Sequence, residues 1–145
     1  MKQSKSRRDS DTYRYWTFEE VQAAAPYVSS VARSLREHYL QILAKCRELR
    51  ALAGRHGRPD RKALIQEQEA RGDLHKAEQD FQDALQELTQ LNVWPLDPGQ
   101  GTALVPFVRD DQPAWYVFDL FDSQPIRSWR YQSDPDETCR ALTAP

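Results

Sequence analysis

The chain has 145 residues, of which 29% are charged and 39% hydrophobic, and its formal net charge is −2. That length suits one domain with a core of its own. The near-balanced charge excludes a global field that would draw in nucleic acid or an anionic membrane, and the polar composition fits an exposed helical hairpin better than a compact globule.

Residues 1–12 hold Lys, Arg, Ser, Gln and Asp with no apolar anchor, which predicts a disordered basic tail rather than a signal peptide, since no apolar run follows KQSKSRR. A single α+β domain is expected over 13–145. It opens at YWTFEE, where Thr17 and Glu20 make a capping box and Trp16 can staple onto Val21. Pro26 disfavours helical geometry at Ala25, so the expectation is a short helix followed by a long one, or a single kinked helix.

From Val28 the residues Val31, Leu35, Tyr39, Ile42, Cys46, Leu49 and Ala53 recur at three- and four-residue steps, laying an apolar stripe along a long helix. AGRHGRPD breaks it. Beyond that turn Ala70, Leu74, Ala77, Phe81, Ala84, Leu88 and Leu91 keep a heptad alternation, so the two helices are expected to fold back as an antiparallel hairpin over 17–92. Gly72 lies inside the second helix, where it either weakens a turn or marks a close helix contact.

Asn92 and Trp94-Pro95 end the helical pattern, and LDPGQG follows as a loop. ALVPFV, AWYVFDLF and IRSWRY then read as a three-stranded antiparallel meander over 102–131, with Pro106 suggesting an edge strand. SDPDETCRAL has the start signals of a short closing helix over 134–142, with Asp134 as cap, Pro135 in the first turn and Glu137 completing the box.

TFEEVQAAAPYV resembles the opening FTxEEANxLLP of the bacterial proteins grouped as domain of unknown function 2203, and the similarity runs from Thr17 to Tyr131. In that family the opening leads into a long helical hairpin, a DxxxG loop, a GLVDFP strand, an LCWRxGE strand and a closing IxYWH. Glu19, Glu20, Pro26, Asp97, Gly101, Pro106, Ile126 and Trp129 match these motifs. Gln22 replaces the family's asparagine, Leu104 its aspartate, Val117 its cysteine, Asp119 its arginine, Asp122 its glutamate and Arg130 its histidine. The resemblance implies the fold. It implies no activity, because the Cys, Asp and His that could suggest a metal or a nucleophile are replaced here.

Four groups of residues are candidates for chemistry or binding. Pairing Phe121 with Ile126 across a DSQP turn would set Phe118 opposite Trp129 and make Asp119 and Arg130 diagonal neighbours on one face. Asp97, Asp119, Asp122, Trp129 and Arg130 could then line a cleft for a polar or anionic ligand, the plainer reading being a surface ion pair. Glu37-His38 and His75 with Glu78 come near one another when the hairpin folds, but the ExxH pattern of bundle metal sites is missing, so no metal and no cofactor is assigned. Arg47, Arg50, Arg55, Arg58, Arg61 and Lys62 make a basic hairpin tip that could touch phosphates, although no aromatic residue is interleaved for base stacking. Lastly, apolar surface left over on the hairpin, Leu64 and Leu85 included, could serve a second protomer.

The expectation is therefore an α+β fold: a long antiparallel helical hairpin, a small three-stranded antiparallel meander and short terminal helices. The functional expectation is a non-enzymatic cytosolic interaction or scaffold module with a protein partner or a homodimeric one. The alternatives are a ligand-binding protein or enzyme using the acidic and Arg cleft, and RNA binding through the basic tip. Cys46 and Cys139 lack metal or redox spacing and read as reduced thiols, and no stretch is apolar enough to span a membrane.

Overall fold

The computed structural model describes residues 15–142 apart from residue 56. The expected basic tail over residues 1–12 lies outside the described residues. Thr17 is extended and caps the first helix, its hydroxyl accepting from the Glu20 N–H while the Glu20 carboxylate accepts from the Thr17 N–H at 3.0 Å. Trp16 and Val21, on either side of this box, are both buried in the core.

The helix so begun, α1, runs without interruption over Phe18–Ala53, with Pro26 inside it. Of the two expectations, a short helix followed by a long one is not formed, and a single helix runs through Pro26. Pro26 is exposed and lies only two turns from the N-terminus, so the hydrogen bond it removes falls on the solvent side, where the Gln22 carbonyl can be hydrated. Helix α2, Arg61–Gln90, is capped by the Asp60 carboxylate, which accepts from the Ala63 N–H at 2.8 Å.

The two helices form the expected antiparallel hairpin. Ala70, Ala77 and Ala84, spaced seven apart, are buried along the seam, where small side chains let the axes approach closely. Register is marked by Tyr27 donating to Glu87, by the Tyr39 and Phe81 rings at 6.2 Å, and by Lys45 bridging to Asp73 at 3.3 Å. Helix α2 ends in a two-bond cap. Asn92, at φ 61°, donates to the Thr89 carbonyl and Val93 donates to the Leu88 carbonyl, while Leu88 and Val93 are themselves buried.

Among the described residues the sheet has five strands in sequential antiparallel order, not three: β1 Trp94–Asp97, β2 Thr102–Arg109, β3 Gln112–Asp119, β4 Ile126–Tyr131 and β5 Arg140–Ala141. The extra strands are short and lie at the edges, where turn-forming residues (Pro95, Pro98) or charges mask the period-two signal. Pro106 is explained by this layout. β2 is an inner strand, but β1 pairs with it only over Thr102 to Leu104, so Pro106 lies beyond that cover and its carbonyl accepts from Trp16 N–H at 2.9 Å.

The expected closing helix over 134–142 is not formed. The Asp134 carboxylate, read as its cap, instead accepts from the Tyr131 N–H at 2.9 Å and pairs with Arg140, folding the segment back as turns that lead into β5. A helix start signal was outcompeted by an ion pair to a residue six positions on.

Val21, Val28, Val31, Ala32 and Leu35 of α1 join Ala84 and Leu88 of α2 over the alternate residues Ala103, Val105, Phe107, Ala114, Tyr116 and Phe118 of the sheet. One face of the sheet therefore packs on the base of the hairpin. Burying side chains such as Leu88 and Phe118 contributes about 1.5–3 kcal/mol each. Among the described residues no buried member of this core comes from α1 beyond Leu35, and from Leu40 to Ala53 the helix runs on for about 20 Å beside α2.

Candidate functional site

The expected cleft is divided by the actual strand register. Tyr116, not Phe118, stands opposite Trp129, Trp115 is opposite Arg130, and an irregularity between Val117 and Phe118 leaves Phe118 opposite Ile126. The turn is correspondingly longer, because the Asp119 carboxylate accepts from the Phe121 N–H at 3.0 Å and the Asp122 carboxylate from the Gln124 N–H at 3.0 Å, stacking two side-chain turns in series. Asp119 and Arg130 are not partners. They sit four strand residues apart by register, about 13 Å.

At one end of the sheet lie Asp97, Asp119 and Asp122. The Asp97 carboxylate accepts from the Gly99 N–H at 3.0 Å and the Gln100 N–H at 3.3 Å, shaping the loop between β1 and β2. Thr102 pairs with Asp97 on one side and Asp119 on the other. Asp122 pairs with Arg127 at 2.9 Å. Each carboxylate is thus engaged in building its own loop.

Trp129 and Arg130 lie further along the sheet and on its opposite faces. Trp129 is buried on the hairpin side against Phe107 and Tyr131, and the Arg109 and Arg140 guanidinium groups stand 4.3 and 5.4 Å from its ring centre. Arg130 is 4% exposed, and its Nη1 donates to the Pro135 carbonyl and to the Asp136 carboxylate, both at 3.3 Å. A buried guanidinium held this way organises the turn before β5. Arg140 closes that turn with a two-pronged pair to Asp134, which holds the Asp134 carboxyl below the usual carboxylate range.

The basic residues expected at the tip are where the sequence put them: Arg50 in the last turn of α1, Arg55 and Arg58 in the loop, Arg61 and Lys62 opening α2, all exposed. A cleft of about 400 Å³ lies between the helix ends, lined by Leu52, Arg55, Arg58, Pro59, Asp60 and Glu67. Its charge is mixed, since Asp60 caps α2 and Glu67 pairs with Arg71 at 2.9 Å. His38 is half-buried on α1 and His75 is exposed on α2. Among the described residues no three His, Cys, Asp or Glu side chains stand together as metal ligands, and no helix is long and apolar enough to cross a membrane.

Sequence reasoning followed the buried seam of α1 and missed the stripe beside it. Arg33, Arg36, Leu40, Leu43, Arg47 and Arg50 recur at steps of three and four, the same spacing as the seam, one helical flank away. Arg36 anchors the stripe at the sheet: its Nε donates to the Gly99 carbonyl at 2.9 Å and its guanidinium lies 4.9 Å from the centre of the exposed Phe121 ring. The available signal was the second set of heptad positions, which a search for the core had no reason to use.

No protein-family model, curated protein or solved structure matches this chain.

Proposed function

We propose that the protein is a non-enzymatic interaction module of the cytosol whose helical hairpin presents the contact surface. One observation carries this reading. Leu40 and Leu43 of α1 are 40% and 41% exposed, and Leu64 and Ile65 of α2 are 51% and 46% exposed, on the part of the hairpin that extends past the sheet. Apolar side chains left in water along a projecting pair of helices are surface that another protein covers. The carboxylates offered for a ligand site support the same reading from the other direction, since Asp97, Asp119 and Asp122 are occupied by backbone N–H groups of their own loops. Free Cys46 and Cys139 fit a reducing compartment.

The test is capture from lysate of the native organism by the tagged full-length chain, with nuclease present, beside the doubly substituted Leu64→Glu, Ile65→Glu and Leu40→Glu, Leu43→Glu chains. A stoichiometric protein retained by the wild type and lost with either folded variant is the expected result. Equal capture by all three chains, or recovery of the bait alone as a monomer, would turn the assignment toward a self-contained ligand-binding or enzymatic role.

A further inference from the structure

We infer that the flank of α1 formed by Arg33, Arg36, Leu40, Leu43, Arg47 and Arg50 is a docking strip for an acidic amphipathic helix of another protein. The inference rests on the interaction-module reading and adds the chemistry of the partner.

The pattern is an apolar centre between two basic ends. Leu40 and Leu43 lie exposed one step apart, with Arg33 and Arg36 on one side and Arg47 and Arg50 on the other. Phe121, the most exposed of the large apolar side chains, extends the apolar centre at the sheet end through its contact with Arg36. Spacing of three and four residues is what a second helix reads when it lies along the first, its own apolar residues entering the gaps between Leu40 and Leu43.

The charge on this flank is mostly positive. Beyond its first turn, α1 contains only two acidic residues, Glu37 and Glu48. Glu48 is drawn to Lys45, which also bridges to Asp73 of α2 at 3.3 Å, so that pair belongs to the other side of the helix. Glu37 lies at the edge of the strip, four residues after Arg33 and three before Leu40, and enters no ion pair among the described residues. Among the described residues Arg33, Arg47 and Arg50 enter no ion pair, and Arg36 meets a carbonyl and a ring rather than a carboxylate. Four guanidinium groups against the single carboxylate of Glu37 complement a helix that carries Asp or Glu beside its apolar seam. Leucines, not aromatic residues, are interleaved with the arginines along the helix, and Phe121 at the sheet end already meets the Arg36 guanidinium, which favours a helix over a nucleic acid.

The probe is a synthetic helical peptide of about three heptads with Leu in the seam and Glu flanking it, compared with the same peptide carrying Lys in place of Glu. Binding to the full-length chain is read by fluorescence anisotropy at low and high salt. The Glu peptide is expected to bind at least about tenfold more tightly than the Lys peptide, with affinity falling as salt rises, and Arg47→Glu with Arg50→Glu to weaken it by at least about tenfold. Leu40→Ser with Leu43→Ser is expected to weaken it at both salt concentrations, with circular dichroism unchanged for either pair. Equal affinity for the two peptides, or no effect of either substitution pair, overturns the acidic-helix assignment. So does concentration-dependent dimerisation, seen by sedimentation, that the leucine substitutions abolish, since the strip would then belong to a second copy. Tighter binding of an oligonucleotide than of the Glu peptide would overturn it as well. A lysate partner that is lost with the Leu64 and Ile65 substitutions but keeps binding the Arg47 and Arg50 variant would refute the strip while leaving the hairpin reading intact.

Discussion

Asp134 and Arg140 face one another through two hydrogen bonds, Nε to Oδ2 at 2.9 Å and Nη2 to Oδ1 at 3.1 Å, and the same carboxylate accepts from the Tyr131 N–H. The pair ties the last strand to the turn that leaves β4. Its effect on pH dependence has a definite sign. The folded-state pKa of Asp134 is depressed, chiefly by the Arg140 hydrogen bonds, so the stabilisation is present above the unfolded carboxylate value of about 3.9 and is lost as pH falls through the lower folded value. Asp134→Asn is expected to lower the melting temperature at neutral pH, and its difference from wild type to shrink on acidification below the carboxylate range. Thermal denaturation by circular dichroism at several pH values checks this, and a difference independent of pH would contradict it.

Gly72 lies in the middle of α2, and a Cβ added there would meet nothing within 4 Å. The alternative of a close helix contact is therefore removed, leaving only the helix-forming deficit of glycine. Gly72→Ala is expected to stabilise the protein by about 0.5–1 kcal/mol, read as a higher urea midpoint at unchanged slope.

Gly101 is the opposite case. Its φ is +71°, its carbonyl accepts from the Leu120 N–H at 3.0 Å, and a Cβ would stand 2.8 Å from the Leu120 Cβ. Gly101→Ala is expected to cost about 1–3 kcal/mol through backbone strain and overpacking, measured by the same urea titration. A loss under a few tenths would mean that Leu120 can withdraw.

Asp119 separates the interaction module from a ligand site. Its side chain accepts from the Phe121 N–H, an office that an asparagine oxygen fills as well. Asp119→Asn is expected to change stability by no more than about 0.5 kcal/mol and to leave partner capture intact. Loss of capture or of any activity from a folded variant would return weight to the acidic end of the sheet.

What could be read from the sequence was whatever a single element's own periodicity or cap encodes. The capping box at Thr17, the seam from Val28 onward, the turn before Asp60 and IRSWRY as a strand are all local statements, and the structure has each of them. The errors came where a local signal met a competitor a few residues away. Pro26 left a break and a single kinked helix both open, and the break did not form because on the solvent side of an otherwise continuous helix its cost is small enough to absorb. Asp134 carried a helix cap's pattern, yet Arg140, six residues away, offered it a charged partner. The slip of Trp129 from Phe118 to Tyr116 followed from reading DSQP as the whole turn, when Asp119 and Asp122 each bend the chain with their own carboxylate. That slip alone dissolved the expected ion pair between Asp119 and Arg130. The stripe from Arg33 to Arg50 was present at the right spacing throughout, but a search for buried residues does not select for arginine.

The continuous course of α1 from the core into the free part of the hairpin has a consequence for amide hydrogen exchange. Residues Val28 to Leu35 are covered by the sheet, so their amides exchange only on large-scale opening, whereas those from Arg47 to Ala53, among the described residues, are shielded by α2 and exchange through fraying from the tip. One helix thereby holds a gradient of protection, slow at its sheet end and fast at its tip end. A helix laid along Leu40 and Leu43 would quench the fraying from that point outward, so exchange at Leu49, a half-buried residue of the inner seam, would slow as well.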